Sequence, residues 1–354
     1  MGRTPDPDKL NALMGRLVGD LGASMTGALI LLGDRLGLYK AMQDGKPRTA
    51  KSLATKTKLN DRYVREWLSA QAAAGLVDYN AAKDTFSLGA EQAMALANED
   101  SPAFFAGALQ VVQSMYLDEP KVAAAFKSGK GVGWHQHSAC LFKGTERFFR
   151  PGYNANLVSS WIPALDGVEA KLKKGAIVAD VGCGHGASTI LMAQAYPNSS
   201  FFGFDYHAPS LAIARSAAKQ AGVDKRITFR KASAKDFPAK NYYVVAMFDC
   251  LHDMGDPVGA AKHVKNTLAK DGTFMLVEPF AHDELKDNLN PVGRVFYAAS
   301  TMNCTPASLS QEVGLGLGAQ AGEKRLHEVA RKAGFSRFRR ATETPFNLVF
   351  EARN

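Results

Sequence analysis

The sequence is poor in several things that would otherwise define it. Cysteine occurs four times in 354 residues, at Cys140, Cys183, Cys250 and Cys304, and no two make a C-x-x-C pair. That excludes a disulfide scaffold and fits reduced thiols in the cytosol. No apolar run reaches the length of a membrane span; the longest candidate, Gly27–Gly33, reads as a fragment of an amphipathic helix. The opening Met1–Asp6 lacks the apolar region of a signal peptide, and Asp6 stands where a myristoylation motif wants Ser or Thr. A cytoplasmic location is therefore expected, and the sequons at Asn198 and Asn303 are expected to be chance. The chain also lacks a concentrated charge of one sign. Its net +9 is spread as +1 over residues 1–100, +1 over 101–170, +5 over 171–280 and +2 over 281–354. The excess includes Lys171, Lys173, Lys174, Arg226, Arg230, Lys231 and Lys235 and does not fall on the N-terminal third.

What is present describes a soluble globular protein, with 46% apolar and 22% charged residues. A chain of this length predicts two domains. The most informative stretch is the apolar strand Ala176–Val181, which runs into Gly182-Cys183-Gly184-His185-Gly186 with a helix starting near Ala187. Alternate glycines let the backbone turn tightly and approach a ligand, and the helix start offers unpaired N–H groups. A second apolar strand, Ser200–Phe204, ends in Asp205, where an acid can accept hydrogen bonds from ribose hydroxyls. Two cofactors compete. Dinucleotide sites use G-x-G-x-x-G, and here the third glycine comes one residue early and the unit starts halfway along the chain. Asp180, two residues before the first glycine, suits S-adenosylmethionine (SAM) better.

On these residues the chain resembles the class I SAM-dependent methyltransferases over about residues 170–280 and through the C-terminal strands. The resemblance implies SAM as cofactor, with the Gly182, Gly184 and Gly186 loop at its methionine end, Asp205 on its ribose and Tyr206 beside its adenine. Asp180 and Asp249 join the same cofactor site. The family often has an acid after the third strand, Ile227–Lys231; Ser233-Ala234 stands there instead, and either the serine or the nearby Asp236 is expected to serve the adenine. Some members methylate arsenic held by thiolates, which nothing in the cysteine spacing here supports.

The N-terminal third predicts helices and one small wing. Leu10, Leu13, Met14 and Leu17 recur at helical spacing, as do Leu29, Leu32, Leu36 and Tyr39. Thr49 is an expected N-cap, a second helix is expected from Asp61 to Ala74, and Val77–Tyr79 and Thr85–Leu88 flank a hairpin signal. This is a winged-helix pattern over residues 1–100. A DNA-reading role would rest on Arg62, Arg65 and Gln71, but Asp61 and Glu66 lie beside them, and a packing module is favoured. The module resembles the N-terminal domain of plant and bacterial O-methyltransferases, which implies a dimerising cover and a homodimer through its helices. Residues 101–170 read as a helical linker and 171–354 as the SAM domain. Strands are predicted near 176–182, 200–205, 227–231, 242–249 and 272–278, helices near 187–196, 209–221, 257–269 and 323–333, and a final hairpin over 335–341 and 346–352. The expectation is an α/β fold: a doubly wound seven-stranded Rossmann-like sheet with ligands beyond the C-terminal strand ends. An insertion, residues 281–322, is placed to cap a substrate site.

The fourth strand ends in Asp249-Cys250-Leu251-His252-Asp253-Met254. Methyl transfer to a hydroxyl needs its proton removed, and histidine suits that task. This segment resembles the H-D-W segment of plant-type O-methyltransferases. The resemblance implies His252 as general base and Glu278 as the acid that orients it; Met254 departs from the aromatic. The alternative makes His252 a wall of the cofactor pocket. His185 is expected to neighbour the cofactor. No metal site is expected, since the H-x-H of His135 and His137 has no other ligands nearby in sequence, and both are expected to face substrate or solvent. The whole chain is also similar to a group of methyltransferases with a winged-helix-like N-terminal domain, on Arg62–Leu68, Asp180–Gly186, Asp249–Pro257 and Cys304–Gln311. The expected function is SAM-dependent methylation of a small, mostly apolar molecule, at a hydroxyl oxygen, without nucleic-acid or membrane partners. Two alternatives stay open: a SAM-sensing regulator that uses the winged helix on DNA, and a nucleic-acid methyltransferase. Against the latter, the Asn/Asp-Pro-Pro-aromatic signature is missing after the fourth strand.

Overall fold

The computed structural model describes residues 4–354; the first three residues of the leader reading lie outside them. The chain divides into two compact units, residues up to Gln113 with Lys143–Pro151, and Ser114–Phe142 with Gly152–Asn354. The stretch 101–170 is thus shared between them.

The first unit opens with α1 (Pro7–Arg35), capped by Asp6, whose carboxylate accepts from the Asp8 and Lys9 amides. It is long and apolar enough to cross a membrane by length and composition, with 17% of its apolar window buried. Arg16, Asp20 and several glycines interrupt the stretch, so no uninterrupted apolar run in it reaches that length. Then follow α2 (Leu38–Met42), α3 (Ala50–Thr57), α4 (Asp61–Ala73), the hairpin strands β1 (Asp78–Asn80) and β2 (Thr85–Ser87), and α5 (Ala90–Leu96). Thr49 caps α3 by accepting from the Ser52 amide, and Asn60 caps α4. β1 and β2 pair antiparallel, with Arg48 bridging to Phe86. Trp67 of α4 packs edge-on against Tyr39 at 5.0 Å and donates to Leu29 O at 2.9 Å. Helix, turn, helix and wing therefore close on one apolar core.

The helices α6 (Ala108–Ser128) and α7 (Cys140–Asn156) each contribute to both units. In the second unit α8 (Val168–Lys174) leads into alternating strands and helices: β3 (Ile177–Val181), α9 (Ala187–Ala195), β4 (Ser200–Asp205), α10 (Ala208–Gln220), β5 (Ile227–Lys231), β6 (Tyr242–Phe248), α11 (Pro257–Thr267) and β7 (Leu268–Pro279). The short helices α12 (Pro291–Ala299) and α13 (Thr305–Leu309) lie in the insertion, and α14 (Gly322–Lys332), β8 (Arg337–Glu343) and β9 (Asn347–Arg353) end the chain. The seven strands run in the order β5-β4-β3-β6-β7-β9-β8. The first five are parallel, and β9 is antiparallel to both β7 and β8. Central strands read as apolar runs because helices cover both faces; Val178, Ala179, Val245, Met247 and Leu276 are essentially sealed from solvent. The chain order reverses between β3 and β6, so the crevice for a ligand lies beyond their C-terminal ends.

Candidate active site

Five consecutive strand ends, β5 to β7 in sheet order, supply the functional side chains at that crevice. β3 delivers Asp180 and the glycine loop. Gly182 has φ of +79°, and an added Cβ would stand 2.7 Å from Cys250 Sγ, so this position admits only glycine. Gly184 has φ of +51° and faces open space, so the loop backbone leaves room for a ligand there. The amides of Gly182 and Cys183 both donate to Phe204 O, which ties the loop to the end of β4.

Asp180 is buried. Its Oδ2 accepts from Ser188 Oγ at 2.7 Å and Thr189 Oγ1 at 2.6 Å, while its Oδ1 has no partner. Burial pushes its carboxyl up to about 6, with the two hydroxyl donors pulling the other way. Asp205 takes the Gly184 amide on Oδ2 at 2.9 Å and the His207 amide on Oδ1 at 2.8 Å. Burial raises its carboxyl too, against those backbone donors. The loop geometry and the orphaned Asp180 oxygen fit a bound polar cofactor. Tyr206 stays partly exposed, with His135 edge-on to its ring, and Phe142 stacks on His207 at 4.5 Å. Ser233 lies after β5 with its amide donating to Asp236 Oδ1 at 2.7 Å; Ala234 packs partly buried beside it.

β6 delivers Asp249, Cys250 and His252. Asp249 sits at φ of +50° and is a buried junction: Tyr153 donates its hydroxyl to Oδ2 and Asn347 its amide to Oδ1, both at 2.8 Å. Burial first, then the charge of Glu278, holds its carboxyl well above the usual range. Neither Tyr153 nor Asn347 carries a motif; one arrives from α7 and the other from β9, so only the fold joins them.

His252 is buried in a short 3-10 turn after β6. Its Nδ1 lies 2.5 Å from Glu278 Oε2 at the end of β7, and Glu278 Oε1 accepts the Leu251 amide at 3.0 Å. Its Nε2 lies 3.2 Å from Asp253 Oδ1. Burial alone would push the imidazole down, but the carboxylates of Glu278 and Asp253 outweigh it and hold His252 well above its ordinary value. The insertion covers this turn. Ser308 donates to Met254 O at 2.8 Å, Gln311 donates to Asp253 O at 2.9 Å, and the Leu315 amide donates to Gly255 O at 2.9 Å. It also brings Cys304 beside His252 and Asp253. Cys304 was part of a family pattern in the sequence, but nothing there joined it to His252, some fifty residues earlier.

A second imidazole is also held in place. His137 is buried rather than on the surface, with Nδ1 3.2 Å from Asp118 Oδ2. Asp118 further accepts from the Ser138 amide, the Ser138 hydroxyl and Lys121 Nζ, each at 2.8 Å. The H-x-H pair therefore splits: His137 faces inward to an acid and His135 lies against Tyr206.

Residues 172–334 match a methyltransferase domain family, and residues 24–98 match the Rv2258c-like winged HTH domain. Among solved structures, a candidate O-methyltransferase from Nostoc punctiforme is 20% identical, with TM-score 0.73 over 99% of this chain and 100% of that one. Human N-acetylserotonin methyltransferase in complex with SAM is 17% identical, with TM-score 0.70 over 100% and 99%. These likenesses carry the fold. Among curated proteins, the tRNA (guanine-N(7)-)-methyltransferase of Aliivibrio salmonicida is 24% identical over 174 residues, 48% of this chain and 69% of its own length.

Proposed function

We propose that this class I SAM-dependent methyltransferase, with its N-terminal winged-helix module, methylates a hydroxyl oxygen of a small, mostly apolar molecule, with His252 as proton acceptor. The observation that carries the reading is the His252–Glu278 pair at the ends of β6 and β7, next to the switch point of the sheet. Asp180, Gly182, Gly184, Gly186, Asp205, Tyr206, Asp249 and the Ser233–Ala234 turn are assigned to SAM. When bound, SAM supplies a methyl group on a positively charged sulfur; the acceptor oxygen's lone pair forms the new bond while the sulfur keeps the old pair. The protein's part is to hold the acceptor in line and remove its proton. Glu278 fixes the imidazole through Nδ1 and Asp253 faces Nε2; because both carboxylates favour the imidazolium, His252 becomes the acceptor once its Nε2 proton has left, a step that higher pH favours. The insertion covers the turn through Ser308, Gln311 and Leu315, which places it to shape the acceptor site.

The winged-helix module is assigned to packing between two copies of the chain. In support, α1 exposes Leu10, Met14, Leu17 and Leu21 along one helix. A DNA-reading role is disfavoured because both arginines on α4 are already paired, Arg62 with Glu66 and Arg65 with Asp84. The direct test is turnover of a panel of phenols, aliphatic alcohols and their amine and carboxylate analogues with methyl-labelled SAM. Label transferred to amines but to no hydroxyl would overturn the oxygen assignment.

A further inference from the structure

The geometry points to a binding site for one divalent ion of the zinc class, formed by His252 Nε2, Asp253 Oδ1 and Cys304 Sγ. These three atoms lie within 4.8 Å of one another, with His252 and Cys304 buried. Zinc bonds to nitrogen, oxygen and sulfur at about 2.0–2.3 Å, which sets ligand atoms roughly 3.5 Å apart around a tetrahedral ion. The donors need to draw in by at most about 1.3 Å. One imidazole, one carboxylate and one thiolate suit zinc or cobalt and not magnesium or calcium, which favour all-oxygen cages.

Three further observations belong to the same site. Glu278 occupies His252 Nδ1 and so leaves Nε2 to coordinate, the carboxylate–histidine arrangement that orients ligands at zinc sites. Asp253 Oδ1 is a buried carboxylate oxygen 3.2 Å from Nε2 with Cys304 Sγ beside both, so three donor atoms converge on one spot. Cys304 closes the site from a π-helical turn, Ser300–Cys304, an irregularity that helices often carry at functional positions. An ion there has three protein ligands and an open fourth position.

The ion and the proposed reaction compete for one lone pair. His252 Nε2 cannot hold a metal and accept a substrate proton together, so an occupied site is a silenced base. This consequence rests on the proposed base role; the binding itself does not.

The full-length protein, stripped with a chelator, is titrated with cobalt(II). A near-ultraviolet thiolate-to-cobalt band is expected, saturating at one ion per chain and displaced by zinc. Cys304→Ser should abolish the band and Cys140→Ser should keep it. Asp253→Asn, at a partly exposed side chain, should weaken cobalt binding by roughly tenfold or more. No band, or a band that survives Cys304→Ser, overturns the site. Zinc should inhibit methyl transfer over the concentrations that displace cobalt. If zinc displaces cobalt and turnover is untouched, the base assignment falls while the ion site stands. If His252→Gln stops turnover with SAM bound and no band forms, the base stands and the ion site falls.

Discussion

Glu278 reaches His252 across two adjacent strand ends, its Oε2 2.5 Å from Nδ1. The register makes this unavoidable: Phe248 of β6 lies opposite Val277 of β7, so the residue after Val277 stands level with the turn that carries His252. His252→Ala should lower kcat by roughly 10²–10⁴ while calorimetry finds SAM affinity unchanged. Glu278→Gln should have a smaller effect of the same kind, because it disturbs the tautomer and spares the base. Wild-type turnover in His252→Ala would leave proximity alone to explain the rate.

Asp205 fastens the glycine loop through the Gly184 amide and still offers carboxylate lone pairs at the end of β4. Asp205→Ala should weaken SAM binding by ~1.5–3 kcal/mol, the scale of hydrogen bonds to a charged group. Unchanged affinity by calorimetry would remove Asp205 from the ribose role.

Asp180 gives the cofactor site a pH dependence. Burial raises its carboxyl to about 6 from the ordinary 3.8, so the ligand-free fold holds a proton there in mildly acidic solution. A cationic ligand favours the ionised form. SAM affinity should therefore climb as pH rises through about 6, with a proton released on binding, and Asp180→Asn should flatten that slope. Stability runs the opposite way for this group: the folded state binds the proton more tightly than the unfolded one, so stability grows as pH falls from about 6 towards 3.8. Calorimetry in buffers of different ionisation enthalpy measures the proton count directly.

The sheet and the cofactor loop were legible in the sequence because they are local. Apolar strands, the alternate glycines and Asp205 all sit within one βαβ unit, and the predicted strands and helices of the second unit match the observed ones closely; the largest shift is at β7, which begins at Leu268. The surroundings of Asp249 and His252 were not legible. Tyr153, Asn347 and Cys304 reach them from distant helices and strands, and no periodicity records which residues a fold brings together. His137 was visible as half of an H-x-H, but its partner Asp118 lies on the preceding helix, where one acid among helical polar residues carries no signal.

The Arg65 guanidinium donates to both oxygens of Asp84 at 2.7 Å, and Tyr79 donates to the same carboxylate. The cation that a DNA reader would offer is thus tied to the wing. Fluorescence anisotropy with random duplex at about 0.15 M salt should detect no binding. Tight, salt-sensitive binding lost in Arg62→Ala with Arg65→Ala would restore the regulator reading.

Asp118 is the clearest stability determinant outside the cofactor site. Its carboxylate is sealed from solvent and meets Lys121, Ser138 and His137. Burial alone would raise it, but Lys121 and the Ser138 donors prevail and hold it at about 2, below the ordinary 3.8. A depressed carboxyl stabilises the fold above the unfolded value and loses that contribution as pH falls through about 2. Asp118→Asn removes the charge but leaves Lys121 and the imidazole beside a neutral amide, and should cost ~1.5–3 kcal/mol at neutral pH, the scale of hydrogen bonds to a charged group. Urea unfolding at pH 7 and again at pH 3 separates the two contributions. The gap between wild type and variant should be widest at pH 7 and should narrow at pH 3, where the unfolded carboxyl is already largely protonated. A gap independent of pH would assign the effect to the hydrogen-bond geometry around Ser138 and not to the charge on Asp118.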